Sequence, residues 1–312
     1  MRVWSFCDGR WHPGEQAGAE KRWHDLTGAD HAELRRLADV YGLHHLAVDD
    51  CISPYLHTPK IDDFGAYVFV ILLSLVPGTT EAVVEEFDAF LGPDFLITYR
   101  DSEERSPALT EVNDALERGV FLRPGLDGLL YEIVDRIVDD MFPRVSAMSE
   151  TLDQLEDAIV TKGQVGQPTT QILEQRRGAG KLRRLLAPEL AVLHRFGRGE
   201  LELIQQSNVI YFRDIYDHLL RVDLALEELR EDAEVALSTY LSTLNNKMNE
   251  VMKVLAVVGA LALPATVITG VFGTNFDDIP GLHSNWGFGA MMAAMAAMAG
   301  SMAYFFHRRG WF

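Results

Sequence analysis

The residues best suited to chemistry in this chain lie between two apolar stretches near its C-terminus. Gly273, Thr274 and Asn275 follow a run of 19 uncharged residues, 254–272, and precede a second run of 20, residues 287–306. Each run is long enough to cross the roughly 30 Å hydrocarbon core of a bilayer as a helix. A polar tripeptide at the point where the first span leaves the membrane predicts the mouth of a pore, and its oxygen atoms suit a cation.

One face of the first apolar run is suited to line that pore. In an assembly of several copies, Thr266 would contribute a ring of hydroxyls and Asn249 a ring of amides near the cytoplasmic end. Leu255 and Leu263 are candidates for apolar constrictions that close by dewetting. A lipid-facing anchor with small residues for helix packing would show the same pattern, so this face alone leaves both interpretations open. The set at helical spacing is Asn249, Met252, Leu255, Gly259, Leu263, Thr266 and Gly270.

The charges around the two runs predict their orientation. The loop at residues 273–286 has no Lys or Arg, whereas basic residues follow the second run at 307–309. The positive-inside rule therefore places both termini in the cytoplasm and the loop outside. In this loop, Asp277 and Asp278 would raise the local concentration of cations. Because two spans cannot enclose a water-filled path, a channel requires several copies of the chain around an axis.

A long helix is predicted to carry the first run. Residues 200–258 contain neither Gly nor Pro, and no helix breaker separates them from the apolar run. The pattern therefore predicts one continuous helix that enters the membrane and can transmit a signal to the pore. Apolar residues at alternating steps of four and three give it a coiled-coil-like seam. This seam consists of Val222, Leu226, Leu229, Ala233, Ala236 and Tyr240.

The first hundred residues are predicted to form a mixed α/β domain. Residues 67–76 are a continuous apolar run rich in β-branched side chains, which is typical of a buried strand. Residues 87–100 favour two strands joined by a Gly-Pro-Asp turn. Residues 31–42 have helical spacing and end at a glycine.

The next hundred residues are predicted to be helical. The amphipathic pattern begins near residue 107 and continues to 198, with a break at residues 163–168. A basic face follows the break, and we expect it to be solvated or to pair with the acidic helices, with a contact between subunits as the less favoured alternative. Its members are Arg176, Arg177, Lys181, Arg183 and Arg184.

Composition excludes several classes of function. The formal net charge is −18, which disfavours nucleic-acid binding because phosphate recognition needs a surplus of Lys and Arg. The two cysteines, Cys7 and Cys51, have no paired spacing, which fits a reducing cytoplasm. The sequence has no phosphate-binding loop, nucleophile elbow or HExxH motif, so we do not expect an enzyme.

Four segments, in their order along the chain, resemble the CorA family of divalent-cation channels. They are TPKID at residues 58–62, YFRDIYDHLLRVD at 211–223, NNKMNEVMKVL at 245–255 and GVFGTNFDDIPG at 270–281. The resemblance implies an α+β membrane protein that assembles as a funnel-shaped homopentamer. Each subunit would have an N-terminal α/β cytoplasmic domain, a long stalk helix continuous with a pore-lining first transmembrane helix, and a second transmembrane helix.

The sequence patterns and this resemblance together divide the chain into seven segments, three cytoplasmic, three associated with the membrane and a tail. The cytoplasmic segments are an α/β domain (1–105), a helical region (106–199) and the stalk helix (200–250). The others are the first transmembrane helix (251–272), the outer loop (273–286), the second transmembrane helix (287–306) and a basic cytoplasmic tail (307–312).

The resemblance also implies an activity and its regulation. A divalent cation would flow passively into the cytoplasm across the plasma (inner) membrane of a bacterium or archaeon. The ion would be Mg²⁺, with Co²⁺ and Ni²⁺ also accepted, and the partners would be further copies of the chain and membrane lipids. Gly273 and Asn275 match the family signature at the outer mouth. Asp214 matches a carboxylate that binds regulatory Mg²⁺ between subunits, and Asp50 matches its partner on the neighbouring subunit, with Asp49 as the alternative.

Thr274 departs from the usual Gly-Met-Asn signature of that family. Replacing Met by Thr adds a hydroxyl and removes a bulky thioether, which leaves the preferred ion open. The ZntB-like zinc branch also differs at this position, so a Zn²⁺ transporter, with or without proton coupling, is a second hypothesis. A membrane-tethered coiled-coil scaffold without transport is a third.

Overall fold

The computed structural model describes residues 1–76, 83–101, 106–120, 123, 125–162, 168–275, 279–281 and 284–311. The chain folds into two compact units, Met1–Leu237 and Ser238–Phe312. The first unit contains a β-sheet and the helices packed on it, and the second contains the two apolar helical segments.

One seven-stranded sheet organises the first unit. Its strands are β1 (Arg2–Cys7), β2 (Arg10–Pro13), β3 (Lys21–Thr27), β4 (Lys60–Asp63), β5 (Val68–Leu75), β6 (Val84–Leu91) and β7 (Phe95–Arg100). Their spatial order is β2-β1-β3-β7-β6-β5-β4. Neighbouring strands are antiparallel except β3 and β7, which are parallel. This mixed sheet confirms the predicted α/β domain.

The central strands follow directly from the apolar pattern. The predicted strand at residues 67–76 is β5, and all eight of its residues are buried. A strand covered on both faces needs no polar alternation, because neither face meets water. The predicted strand pair at 87–100 is β6 and β7, which are antiparallel. In the turn between them, the amide of Gly92 donates to the carbonyl of Phe95 at 2.8 Å.

Two helices contribute to the core on one face of this sheet. They are α1 (His31–Tyr41) and α2 (His45–Ile52). α1 ends as predicted at Gly42, whose φ of +66° is a left-handed conformation that glycine adopts at little steric cost. α2 carries Asp49 and Asp50. The shared core includes Leu34, Leu37, Val48, Phe69, Ile71 and Phe90.

Four helices follow the sheet and confirm the predicted helical region. They are α3 (Pro107–Glu117), α4 (Leu126–Asp139), α5 (Met141–Lys162) and α6 (Pro168–Gly197). The predicted break at residues 163–168 falls mainly on residues outside the described ranges. α6 begins at Pro168, where the fixed φ of proline suits a first helical turn. Both α4 and α6 contact β5.

The long helix, α7, spans Gln206–Phe272 and contains 67 residues. The predicted start at Glu200 is therefore wrong. The carboxylate of Asp127 in α4 accepts hydrogen bonds from the backbone amide of Gln205 at 2.9 Å and from the side chain of Asn208 at 2.8 Å. This carboxylate satisfies donors at the start of the helix. Because the capping group comes from another helix, local sequence does not reveal the start.

The predicted seam of α7 is buried. Ion pairs also join α7 to α6, which confirms the predicted pairing of part of the basic face. Arg183 pairs with Asp223 at 2.9 Å and with Glu227, and Arg176 pairs with Glu234 at 2.9 Å. Ion pairs at or near the surface contribute about 1 kcal/mol each, so apolar burial dominates the packing. The buried seam residues are Val222, Leu226, Leu229, Ala233, Ala236 and Tyr240.

The second half of α7 and the last helix, α8 (Gly287–Arg308), form the apolar part of the chain. α7 continues as a helix through Pro264 and ends at Phe272. Both helices have the length and composition needed to cross a membrane. The two predicted spans are therefore present as helices.

A buried carboxyl in α6 lies outside every predicted site. Glu189 has no exposed surface, and among the described residues neither of its carboxyl oxygens has a hydrogen-bond partner of normal geometry. Burial raises the pKa of Glu189 to about 8, and the nearby backbone amide of Leu73 offsets this only in part. The carboxyl is therefore mostly protonated at neutral pH.

We predict that Glu189→Gln makes the melting temperature less dependent on pH. The folded chain keeps a proton up to about pH 8 that the unfolded chain releases near the ordinary Glu pKa of 4.5. Stability from this group is thus fully present below the unfolded-state pKa and is lost as the pH rises to the folded-state pKa. Between pH 5 and pH 8 the wild type should lose on the order of 5 °C more than the variant.

Circular dichroism of the full-length protein in detergent measures these melting temperatures. Glu174→Gln is the matched control, because Glu174 is exposed on the same helix, and it should keep the wild-type pH dependence. Equal pH dependence in the wild type and Glu189→Gln would contradict a protonated buried carboxyl.

Candidate cation pathway and regulatory carboxylates

The predicted pore face lies along the second half of α7 and is open in the single chain. Leu255 is 71% exposed and Leu263 is 66% exposed, although large apolar side chains are usually buried in an aqueous protein. Gly259 is half-buried. This face is therefore available to lipid, to other copies of the chain or to a water-filled path. The exposed members are Asn249, Met252, Leu255, Leu263, Thr266 and Gly270.

Two threonines in this segment make hydrogen bonds inside the helix. The hydroxyl of Thr266 donates to the carbonyl of Ala262, and that of Thr269 to the carbonyl of Ala265, each at 2.9 Å. The hydroxyl hydrogens are used in these bonds, so the oxygen lone pairs can accept from water or face a cation. Pro264 also lacks the backbone N–H that would serve a carbonyl one turn earlier. This stretch of α7 thus presents oxygen acceptors in an apolar helix.

The Gly-Thr-Asn tripeptide begins where α7 ends. The amide of Gly273 donates to the carbonyl of Thr269 at 2.9 Å. The hydroxyl of Thr274 donates to the carbonyl of Val271 at 2.8 Å. These bonds satisfy carbonyls that the end of a helix leaves without partners. A methionine has no hydroxyl to donate, so the departure at Thr274 also changes how the helix end is stabilised.

Part of the predicted pore mouth lies within the residues that the structure describes. Asn275 is exposed, and a cavity of about 350 Å³ beside Gly273 is also lined by Phe288 from the start of α8. The predicted attraction of cations by Asp277 and Asp278 falls on residues outside the described ranges. The part of the mouth that is described therefore combines a side-chain amide with closely spaced backbone groups.

The predicted regulatory carboxylates lie on different elements of the first unit. In α2, Asp50 accepts a hydrogen bond from Lys60 Nζ at 2.8 Å, and His57 Nε2 is 3.7 Å from its other oxygen. Lys60 is also 2.9 Å from Asp62. The charge of Asp50 is therefore compensated inside the chain. Asp214 lies on α7, where its side chain is 61% exposed.

A cluster of potential metal ligands lies next to Asp214. Asp135 and Asp139 of α4 and His218 of α7 each place one ligand atom within 4.8 Å of the others. His218 Nδ1 is 3.2 Å from Asp139, and His218 Nε2 is 3.7 Å from Asp214. Burial raises the pKa of Asp135, and the nearby charge of Asp139 raises it further. Carboxylates this close together repel each other unless a cation or protons compensate them.

Sequence analysis missed this cluster because its members are far apart along the chain. The capping contact of Asp127 holds α4 against the start of α7, which brings His218 beside Asp139. Each helix carried a local signal that could have suggested the site. Asp135 and Asp139, and likewise Asp214 and His218, stand four residues apart and so share a helix face.

The ligand types of these sites fit a divalent cation. Carboxylate oxygens suit Mg²⁺ at Asp135, Asp139 and Asp214. The imidazole of His218 also suits Co²⁺, Ni²⁺ or Zn²⁺. Asp50 would have to exchange its bond with Lys60 for a metal bond. The residues thus accept a divalent cation without selecting a single element.

Comparison with known proteins gives consistent results. The family model described as CorA-like Mg²⁺ transporter protein matches residues 18–308. YfjQ of Bacillus subtilis, whose name describes a metal ion transporter, is 31% identical over 299 residues, which cover 96% of this chain and 92% of YfjQ. The cobalt/magnesium transport protein CorA of Thermotoga maritima is 29% identical over 295 residues, covering 93% and 83%. The zinc transport protein ZntB of Pectobacterium atrosepticum is 27% identical over 208 residues, covering 65% and 59%.

The fold agrees with a solved structure over the full chain. The complete CorA magnesium transporter from Methanocaldococcus jannaschii has a TM-score of 0.86 with this chain at 20% identity, covering 100% of this chain and 98% of the other. The fold and the family match together define a membrane protein of the class that transports divalent cations. The chain belongs to the CorA-like Mg²⁺ transporter family. This membership favours transport over the hypothesis of a tethered scaffold.

Proposed function

We propose that this chain assembles as a homopentamer that conducts Mg²⁺ into the cytoplasm across the inner membrane of a bacterium or archaeon. Co²⁺ and Ni²⁺ would also pass, and both termini would be cytoplasmic. The observation that carries the proposal is the exposed face of α7 that leads to Gly273, Thr274 and Asn275. The family match and a relative named for cobalt and magnesium transport support this choice of ions.

The need for several copies follows from the exposed face. Inside a bilayer, carbonyls without a helical donor and hydroxyl groups are tolerated where they line a water-filled cavity or are buried in protein. One chain contributes only two candidate spans among its described residues, and two helices cannot surround water. In a ring of five, Leu255 and Leu263 would form apolar constrictions, while Asn249 and Thr266 would form polar rings.

The choice of Mg²⁺ depends on Asn275. Mg²⁺ dehydrates reluctantly, so a ring of amide oxygens that binds its water shell costs less than one that replaces the shell. The hydroxyl of Thr274 is bonded to the carbonyl of Val271, which leaves the amide of Asn275 as the side chain suited to face the ion. The replacement of the signature methionine by Thr274 therefore retains Asn275, the ligand that the proposed mechanism needs.

A second candidate is transport of Zn²⁺, with or without proton coupling. Two observations favour it: Thr274 replaces the methionine of the magnesium-type signature, and a zinc transport protein is among the relatives. His218 in the carboxylate cluster is also compatible with zinc. The two candidates differ in the ion that crosses the membrane.

Regulation would depend on carboxylates that meet between subunits. Asp214 of one subunit and Asp50 of its neighbour, with Asp49 as the alternative, repel each other while both are ionised. Mg²⁺ bound between them would compensate these charges and favour the closed ring. In its absence, Lys60 holds Asp50 at 2.8 Å, so Lys60 and the metal compete for one carboxylate. This competition sets the Mg²⁺ concentration at which closure occurs.

We predict that reconstituted protein takes up Mg²⁺, Co²⁺ and Ni²⁺ into liposomes without a proton gradient. Asn275→Ala should reduce Mg²⁺ uptake by about tenfold or more, because the amide ring that holds the hydrated ion is lost. The measurement is ion-selective uptake of Mg²⁺, Co²⁺, Ni²⁺ and Zn²⁺ in parallel.

The matched control is Asn285→Ala, since Asn285 is an exposed amide in the same predicted loop, and it should retain uptake. Uptake of Zn²⁺ that rises with an inward proton gradient, without uptake of Mg²⁺, would favour the second candidate. Unchanged Mg²⁺ uptake in Asn275→Ala would show that the amide ring is not needed for transport.

We also predict that Asp214→Ala raises the internal Mg²⁺ concentration needed for half-maximal closure by about tenfold. The loss of one carboxylate from each subunit weakens the binding that favours the closed state. His218→Ala should shift closure in the same direction by a smaller factor, because imidazole contributes less to Mg²⁺ binding. Flux measured against internal Mg²⁺ gives both shifts.

Asp217→Ala is the control for charge, because Asp217 is exposed on the same stretch of α7. It should close at the wild-type Mg²⁺ concentration, and all three variants should conduct normally at low Mg²⁺. Closure of Asp214→Ala at the wild-type concentration would rule this carboxylate out as a regulatory ligand.

A further inference from the structure

A cavity of about 450 Å³ lies in the first unit, away from the residues assigned to transport. It is lined by residues of β1, β2 and β3, by residues at and just after the end of α3, and by Arg123 and Gly125. Its basic residues are Arg10, Lys21 and Arg123, and His12 adds an imidazole. Its apolar wall is made by Phe6, Trp11, Leu116 and Val120.

The sheet register places the key side chains of this cavity in one row. Phe6 in β1 is paired with Trp11 in β2 and with Lys21 in β3, and directly paired residues project from the same face of a sheet. The rings of Phe6 and Trp11 meet edge to face with centroids 5.3 Å apart. The pairing of the strands therefore places the aromatic pair of Phe6 and Trp11 next to the ammonium group of Lys21.

Aromatic rings hold Arg123 at the other side of the cavity. Its guanidinium carbon is 3.2 Å from the centroid of the Tyr211 ring and 4.9 Å from that of Tyr131. Its nearest carboxylate partner, Glu132, is 4.0 Å from Nε, which is beyond hydrogen-bond distance. Among the described residues, the buried Nε has no hydrogen-bond partner. The stacking on two aromatic rings holds the guanidinium charge at this side of the cavity.

The charge of this cavity is opposite to that of the whole chain. The chain has a formal net charge of −18, yet no carboxylate is among the described residues that line the cavity. Arg10 and Lys21 form no ion pair with any described carboxylate. Within the described part of the chain, Arg123 has only the distant Glu132 as a counter-charge, so the basic groups of the cavity together create a positive potential that attracts anions.

We propose that this cavity binds a nucleoside phosphate. The base would stack on Trp11, and the phosphates would contact Arg10, Lys21 and Arg123. A guanidinium binds phosphate through paired donors, and an ammonium adds a mobile point charge. The cavity is in the size range of sites for small organic ligands. A bare inorganic anion would leave the aromatic and aliphatic wall in contact with water.

Calorimetric titration of the full-length protein in detergent tests this site, with ATP, adenosine and tripolyphosphate as separate probes. Free Mg²⁺ is held constant, because ATP chelates Mg²⁺ and would otherwise alter the sites proposed for regulation. ATP should bind at least about tenfold more tightly than either fragment, since only ATP uses both the aromatic wall and the basic groups.

Two variants test the assignment of the groups. Arg10→Ala/Lys21→Ala should weaken ATP binding about tenfold or more, and Trp11→Leu should weaken ATP but leave tripolyphosphate binding unchanged. The matched control is Arg177→Ala/Lys181→Ala, which removes two exposed charges from α6. Circular dichroism verifies that each variant is folded.

Three results would overturn the proposal. They are the absence of ATP binding to the wild type, full ATP affinity in Arg10→Ala/Lys21→Ala, and tripolyphosphate binding as tight as that of ATP. Ion flux plays no part in these readouts, so the outcome is independent of whether Mg²⁺ or Zn²⁺ is transported.

Discussion

The structure depends most on the continuity of one helix. α7 stays helical over 67 residues, from the contact with Asp127 at its start to the tripeptide that begins at Gly273. Its first half buries an apolar seam that packs as an ordinary helix of a soluble protein does. Its second half exposes large apolar side chains, which are usually buried in a protein surrounded by water. One continuous helix therefore has a half suited to an aqueous protein and a half suited to a membrane, and the transport proposal relies on that property.

The exposed half of α7 is the reason for proposing an assembly of several copies of the chain. Hydroxyls of Thr266 and Thr269 are satisfied inside the helix, so the helix is stable in a bilayer without partners for those groups. The predicted pore face nevertheless offers oxygen acceptors that a lipid cannot solvate. In the proposed assembly, neighbouring copies would exclude lipid from these groups and enclose water.

Electrostatics link the soluble unit to the same proposal. The carboxylates at Asp135, Asp139 and Asp214 surround His218, whereas Asp50 is already paired with Lys60. The carboxylates around His218 carry an excess of negative charge, whereas the charge of Asp50 is already compensated by Lys60. In the proposed regulation, a divalent cation between subunits would compensate the carboxylates around His218 and displace Lys60 from Asp50, which would couple binding to subunit contact.

Sequence patterns predicted the parts of the fold that local physics determines. The apolar run of β5, the Gly-Pro-Asp turn and the seam of α7 each depend on neighbouring residues, and the structure confirms them. The start of α7 and the cluster around His218 depend on contacts with α4, which no periodicity reveals. The candidate pore residues of α7 are exposed, which fits a face that lines a pore and equally a face that contacts lipid. These assignments therefore stay predictions.

The central claim is that Asp50 of one subunit faces Asp214 of the next. Its most direct test is oxidative cross-linking of Asp50→Cys/Asp214→Cys in a chain whose Cys7 and Cys51 are replaced by alanine, with Asp49→Cys/Asp214→Cys as the second arm. The proposal predicts a ladder of covalent species that ends at five subunits, in at least one arm. A chain that stays monomeric in both arms would contradict it.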